Sequence, residues 1–402
     1  MELEKKTDSR MALEPVGRLM ISIGLPIVLS MMLQAAYNIV DSAYLSNMKE
    51  AGEEALTALG LAFPVQLLMI AIAVGTGVGT NALLSKSLGQ GDREKAGRSA
   101  GNAVFMGILI YIVFLLFGFL GVPLYVNSQN AGGNISQIAS GVLALIFHLR
   151  LDSEIGKGIK YLKPNIRILK EIYAIGLPAI ISQALLTVMT YGLNIIFGQL
   201  PQVGESAVTV YGLYCKIQQL IIFAAVGVRD AITPIVSFNF GMRNKKRIKE
   251  GIRYGMLFTF ILMVIGLLVI ELFARPLTSF FSLSDTTYTM CVDCMKIVSL
   301  GFIFAGLCIA FQGVFQAIEC GLQSLFISVG RQVLFILPVA WFIGRFVTGA
   351  ENVSIIWWTF LIGEGITLIC TFLMYIPAVK KKINVLEKSS ESRYMTTNCL
   401  QR

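Results

Sequence analysis

The sequence predicts an all-α integral membrane protein of about ten transmembrane helices, arranged as two unequal halves that share one orientation. Three observations predict it: a composition too apolar for a soluble surface, a series of apolar stretches of spanning length, and an internal repeat at a constant offset. Hydrophobic residues are 55% of the 402 and charged residues 14%, with a mean hydropathy of +0.72. Soluble proteins carry about 25% charged residues, and a folded chain of this length needs that charge to face water. A cytosolic enzyme, a disulfide scaffold and a disordered chain are therefore excluded.

The apolar stretches fall at 18–45, 55–85, 99–123, 134–149, 170–199, 207–237, 252–274, 291–318, 322–345 and 353–378. Each approaches the roughly 20 residues that cross a bilayer as a helix. The fourth is the shortest. The first is too long for a signal-peptide core, and its leader from Glu2 to Arg18 shows no cleavage site.

Basic residues orient these spans. Of the 33 Lys and Arg, most fall in alternate loops: Lys5 to Arg18, Lys86 to Arg98, Arg150 to Lys170, Arg243 to Arg253, and Lys380 to Arg402. The opposite ends carry only Lys49, Arg275 and Arg345, while Lys216, Arg229, Lys296 and Arg331 lie within spans. The positive-inside rule then puts both termini in the cytoplasm of a multi-pass protein. The net charge of +9 follows from that topology, so no nucleic-acid partner is invoked.

The repeat pairs Ile23-Gly24-Leu25-Pro26 with Ile175-Gly176-Leu177-Pro178, an offset of 152. The same offset pairs Gly52, Glu53, Gly60, Gln66, Gly75, Ser85 and Gly89 with Gly204, Glu205, Gly212, Gln218, Gly227, Ser237 and Gly241. Further on, Ile135 to Leu149 matches Ile362 to Ile376 instead, at an offset near 227. The second half therefore holds about 75 residues, two spans, that the first lacks, and the junction falls at Asn127 to Gly133. A six-plus-six duplication shortened to four-plus-six is the simplest account. Halves with even helix numbers are related by an axis along the membrane normal. The expected divisions are residues 1–150, a shortened amino-terminal lobe; 151–169, a cytoplasmic linker; 170–380, the carboxy-terminal lobe; and 381–402, a cytoplasmic tail. Two missing helices should leave Asn81, Ser85 and Asn102 on faces turned to lipid, without partners.

Familiar chemistry is scarce. His148 is the single histidine, so neither a catalytic triad nor a multi-histidine metal site can be built. Cys291 and Cys294 form a lone CxxC, which reads as packing at a helix start rather than a metal knuckle. No GxxxxGK[ST] is present. Gly75, Gly77 and Gly79 sit inside an apolar span and read as helix packing, not a dinucleotide loop. Trp341, Trp357 and Trp358 lie near span ends, as an interfacial belt would.

What remains are polar groups within spans, which are costly there and default to function. Ser30, Gln34, Tyr37, Asn38 and Asp41 recur at three- and four-residue steps on one face of the first helix. Ser182, Gln183, Thr187, Thr190 and Asn194 repeat the stripe in the second half, and the two could line one wet cavity or merely bond neighbouring helices. Asp41 has no acidic counterpart, since the offset lands on Leu193. Lys216, Arg229, Asp230 and Glu364 are the other ionisable candidates, as cavity residues or as ion pairs. Arg229 and Asp230 point about 100° apart as helix neighbours and need not pair.

Ile23-Gly24-Leu25-Pro26, Asn38-Ile39-Val40-Asp41, Pro234 to Gly241, Phe311 to Ala317, Arg331-Gln332 with Pro338, and Gly363-Glu364, in this order, resemble the multidrug and toxin extrusion (MATE) transporters, in their bacterial multidrug-exporter branch. The resemblance covers nearly the whole chain, except that the family's fourth and fifth helices are missing. It implies a non-enzymatic antiporter in a bacterial inner membrane, a monomer among membrane lipids. Such a protein exports small organic cations in exchange for H⁺ or Na⁺ as its two lobes rock about a central cavity. It implies ion coupling at Asp41 and Asn38, with Na⁺ at Asp41 one form of it. The cavity would be lined by Gln34, Tyr37, Gln183, Thr190, Asn194, Lys216 and Glu364, with no cofactor. Two rivals stand beside it. A lipid-linked saccharide flippase would want more central basic residues than Lys216 and Arg229, and a shortened remnant would fold without transporting.

Overall fold

The computed structural model describes residues 10–46, 52–116, 163–279 and 283–383, with backbone alone for 37–46, 52–67 and 380. These residues form α1 (Val16–Ser46), α2 (Gly52–Gly89), α3 (Arg93–Leu116), α4 (Ile166–Gly198), α5 (Gly204–Gly241), α6 (Lys245–Ser279), α7 (Asp285–Ser299), α8 (Phe302–Ala317), α9 (Gly321–Val329), a π-helical turn (Gly330–Leu334), α10 (Ile336–Gly344), a 3₁₀ turn (Val353–Trp357) and α11 (Trp358–Lys382). Helix satisfies every backbone group within its own segment, which is the condition for crossing lipid. That condition tolerates Pro26, Pro178, Pro234, Pro276 and Pro377 inside helices.

Eight of the described helical stretches are long and apolar enough to span, and the α7–α8 pair, bent by 49°, makes a ninth. They fall on the expected stretches. The remaining one, 134–149, and the junction at 127–133 lie outside the described residues.

Positions 152 residues apart adopt the same local geometry where α2 and α5 end. Gly91 and Arg243 both take a left-handed φ, 74° and 58°. The next residue in each case caps the following helix. Asp92 accepts from the Lys95 N–H at 2.9 Å, and Asn244 accepts from the Arg247 N–H at 3.2 Å. A short Asx side chain after a left-handed residue stops one helix and starts the next.

The first helix of each half packs against the second helix of the other. α1 lies along α5 and α6, and α4 lies along α2. Val16, Leu19, Met20 and Val28 of α1 share a core with Ala231, Ile232, Ile235 and Val236 of α5. Val78 and Ala82 of α2 pack with Ile175 and Ala179 of α4. Small residues permit these crossings, because helix association in lipid depends on close packing rather than on hydrophobicity. A Cβ on Gly75 would strike Ile180, and one on Gly227 would strike the backbone of Val28. These are equivalent contacts, 152 residues apart. Gly77, by contrast, has open space beside it.

Several expectations about single residues change. Trp357 belongs to no interfacial belt; it is fully buried, edge-on to Phe197 at 5.4 Å, because the 3₁₀ turn tucks it into the second-half core. Trp358 and Trp341 are exposed, and Arg345 stacks on Trp341 at 3.7 Å. Asn102 is not bare to lipid: it is buried, with its Oδ1 taking the Asn165 N–H at 2.7 Å and its Nδ2 donating to the Arg98 carbonyl. Ser85 is likewise buried, near Asn81 Oδ1. Asn165, the residue that caps α4, supplies the partner for Asn102. Cys291 and Cys294 are buried free thiols, the first beside the Thr278 hydroxyl, and they pack α7 on α6.

Candidate functional site

Of the two polar stripes, the structure describes the first only in part. Tyr37, Asn38 and Asp41 lie on the last turns of α1, and their side chains are outside the described residues. Ser30 and Gln34 are exposed on α1. On α4, Ser182 and Thr190 donate to the Pro178 and Leu186 carbonyls one turn back. Gln34, Gln183, Asn194 and the exposed Lys216 have no side-chain hydrogen bond or ion pair among the described residues. Their bonding capacity is not spent on joining helices.

The other ionisable groups are spent. Arg229 and Asp230 do pair, with Nε and Nη2 reaching Oδ1 at 2.9 and 2.8 Å. Long side chains bridge the 100° that separates neighbouring Cα–Cβ directions. Gly313 of α8 leaves the space into which Arg229 fits. Glu364 of α11 is buried and accepts three bonds of 2.8–3.0 Å from Arg331. Arg331 sits in the π-helical turn, where an extra residue per turn re-aims a side chain, often at functional positions. Sequence reading passed over Arg331 as a partner. The signal was there: an arginine within a span requires a counter-ion, and Glu364 is the acid within the following span.

Gln312 and Gln316 of α8 bond Ser328 and Ser324 of α9 at 2.8 and 3.2 Å, which keeps these neighbouring helices in register. They are structural.

The ends of α2 and α5 that carry the basic turns are shut against each other. A Cβ on Gly89 would run into the Phe238 carbonyl oxygen, and one on Gly241 into that of Lys86. Lys86 reaches across to Glu319, at the end of α8. Arg247 donates to Asn239 Oδ1 and to the carbonyls of Met11 and Glu14, which draws the amino-terminal arm over the same end.

Membrane-length helices from two halves, crossed over one another, closed at one end and bearing unpartnered polar side chains, define a multi-pass membrane protein of the transporter class. The MatE family profile matches residues 26–149 and 178–342, and the chain belongs to that family of transporters, which are not enzymes. It is 20% identical to the multidrug export protein MepA of Staphylococcus aureus strain MRSA252 over 432 aligned positions, spanning 90% of this chain and 93% of the relative. Its match to MepA of the bovine strain RF122 / ET3-1 is 25% over 260 residues, 65% of this chain and 55% of that one. The fold superimposes on an outward-facing multidrug resistance MATE family transporter of the MOP superfamily with a TM-score of 0.83, at 19% identity, over 94% and 98% of the two chains.

Proposed function

We propose that the chain is an ion-coupled exporter of small organic cations, working by alternating access in a bacterial inner membrane as a monomer with both termini in the cytoplasm. H⁺ or Na⁺ returns through Asp41 and Asn38. Gln34, Tyr37, Gln183, Thr190, Asn194 and Lys216 face the passing compound. The observation that carries this reading is the closure at the basic-loop end, formed by equivalent glycines of the two halves and by Lys86 with Glu319. With the basic loops inside, that end is the cytoplasmic gate, and it is shut. Glu364, engaged by Arg331, holds α11 to the π-helical turn in this reading rather than meeting the substrate directly.

The amino-terminal half is read as four spans against six. The 432 aligned positions with MepA exceed the 402 residues of this chain, so that alignment carries gaps on this chain's side, in keeping with a shortened half. Rocking requires each lobe to move as a unit, so the shortened lobe limits turnover.

Two experiments test the reading. Purified protein in proteoliposomes, given an imposed pH or Na⁺ gradient, is expected to move a cationic dye. A version with about 75 residues restored at 127–133, patterned on Thr278 to Leu361, is expected to move it several-fold faster. No ion-driven movement by either version would overturn the antiport assignment, and equal rates would overturn the role of the shortening. For orientation, single cysteines near Lys160 and Lys246 are expected to resist an impermeant thiol reagent in whole cells, and one near Gln202 to react. Labelling near Lys246 would reverse the topology.

A further inference from the structure

At the basic-loop end, a cleft of about 340 Å³ opens between the α8–α9 turn and the last turns of α11. Cys320 and Gln323 line one side; Met374, Pro377, Lys381 and Lys382 line the other. The proposed transport path uses none of them. The cleft's charge is the first observation. Glu319 also borders it, but that carboxylate is engaged by Lys86, so its charge is offset. Lys381 and Lys382 have no ion pair or hydrogen bond among the described residues. The cleft therefore carries two uncompensated ammonium groups.

Both lysines act on the start of α9. Burial pushes the Cys320 thiol up from its ordinary range; Lys382 pulls it back down, the Glu319 carboxylate pushes it up, and Lys381 pulls it down again. Cys320 is the residue before α9, and no side chain caps that helix. The positive end of the α9 dipole thus adds to the lysines' field.

The second observation is the character of the walls. Met374, Pro377 and Ala378 make one side apolar, and the chain neighbours of the lining, Leu373 on α11 and Leu322 on α9, are 65% and 77% exposed. The cleft is cationic toward the water and apolar toward the bilayer, at the level where α11 leaves the membrane. A free phosphate ion would engage only the cationic part. A diacyl phospholipid engages both, and basic pockets between helices at this level take anionic headgroups.

We propose that this cleft binds the phosphate headgroup of an anionic diacyl phospholipid, held by Lys381 and Lys382, with its glycerol and upper acyl carbons against Met374 and Pro377. The bound lipid staples the end of α11 to the turn that carries Glu319, and so steadies the second-half side of the closure with Lys86.

The test is native mass spectrometry of the full chain in detergent, comparing phosphatidylglycerol with phosphatidylcholine of the same acyl chains. The wild type is expected to retain phosphatidylglycerol preferentially. Lys381→Gln with Lys382→Gln is expected to cut that preference roughly 30-fold, the weight of two lysines on an anionic lipid. Lys381→Arg with Lys382→Arg is expected to keep it. Lys246→Gln with Lys249→Gln removes the same charge elsewhere on that end and is expected to leave it unchanged. Undiminished preference in the first glutamine pair, or an equal loss in the second, would overturn the site in favour of diffuse surface charge. Displacement of phosphatidylglycerol by an equal concentration of inorganic phosphate would overturn the lipid as the occupant.

Discussion

Asp41→Asn is expected to reduce ion-driven dye export to the passive rate while leaving membrane expression intact. One H⁺ or Na⁺ returned for each monovalent cation exported moves no net charge, so the export is driven by the ion's own concentration gradient, worth about 1.4 kcal/mol for each tenfold difference. The proposed coupling places that whole gain on one carboxylate in the first helix, since the repeat puts Leu193 at the corresponding position. An amide can neither take up a proton nor carry the negative charge that attracts Na⁺. The gradient should therefore collapse rather than shrink by a fraction. The measurement is dye efflux from vesicles under an imposed pH or Na⁺ gradient, in this chain and in the version with restored residues. Full retention of ion-driven efflux in Asp41→Asn would remove Asp41 from the mechanism.

Glu364→Met is expected to destabilise the protein by about 3–5 kcal/mol, the cost of leaving a buried charge without its partner. Arg331 keeps its proton under all ordinary conditions, so once Glu364 is gone the guanidinium must stay charged in a site that is almost closed to water; its side chain is only 13% exposed. Arg331→Met should cost less, because a carboxyl group can bind a proton and become neutral. Replacing both residues by Met should recover most of the loss, since a buried pair exchanged for apolar residues of similar size is often neutral or stabilising. The order of stability in thermal unfolding would then be wild type and double variant above Arg331→Met, with Glu364→Met lowest. If Glu364→Met unfolds with the wild type, the pair does not hold α11 to the π-helical turn.

The spans were legible in the sequence because lipid imposes a simple rule on it. A run of about 20 apolar residues is long enough to cross, and a loop rich in Lys and Arg marks the end of one. The turns at Gly91-Asp92 and Arg243-Asn244 came from the structure instead, because an arginine does not announce a left-handed φ as a glycine can. The glycines of α2 could be read as packing residues, and Gly75 and Gly79 do meet α4 closely. Gly77 bears no such contact, and the sequence does not distinguish it from the other two.

Which helix lies beside which was decided by tertiary structure alone. In water a helix announces its inner face by being apolar there and polar elsewhere. In lipid the outer face is apolar as well, so Leu25, Leu29 and Leu33, which face outward on α1, look no different from Leu19 and Val28, which face α5. The crossing of each first helix onto the other half's second helix therefore left no mark in residue type beyond small residues at the contact. The same loss of contrast explains Asn102, which sequence placed against lipid and the fold placed against Asn165. It explains Arg331 and Glu364 as well: 33 residues apart, they are each conspicuous in a span, but only the bend of the π-helical turn brings guanidinium to carboxylate. What the sequence determined alone is where the nine crossings among the described residues fall, which loops carry positive charge, and the membership of individual residues in those spans, because each depends on hydropathy and charge within one segment. The pairing of segments, the closure of the basic-loop end and the partners of buried ions depend on shape complementarity between segments far apart in the chain, and shape is not written in hydropathy.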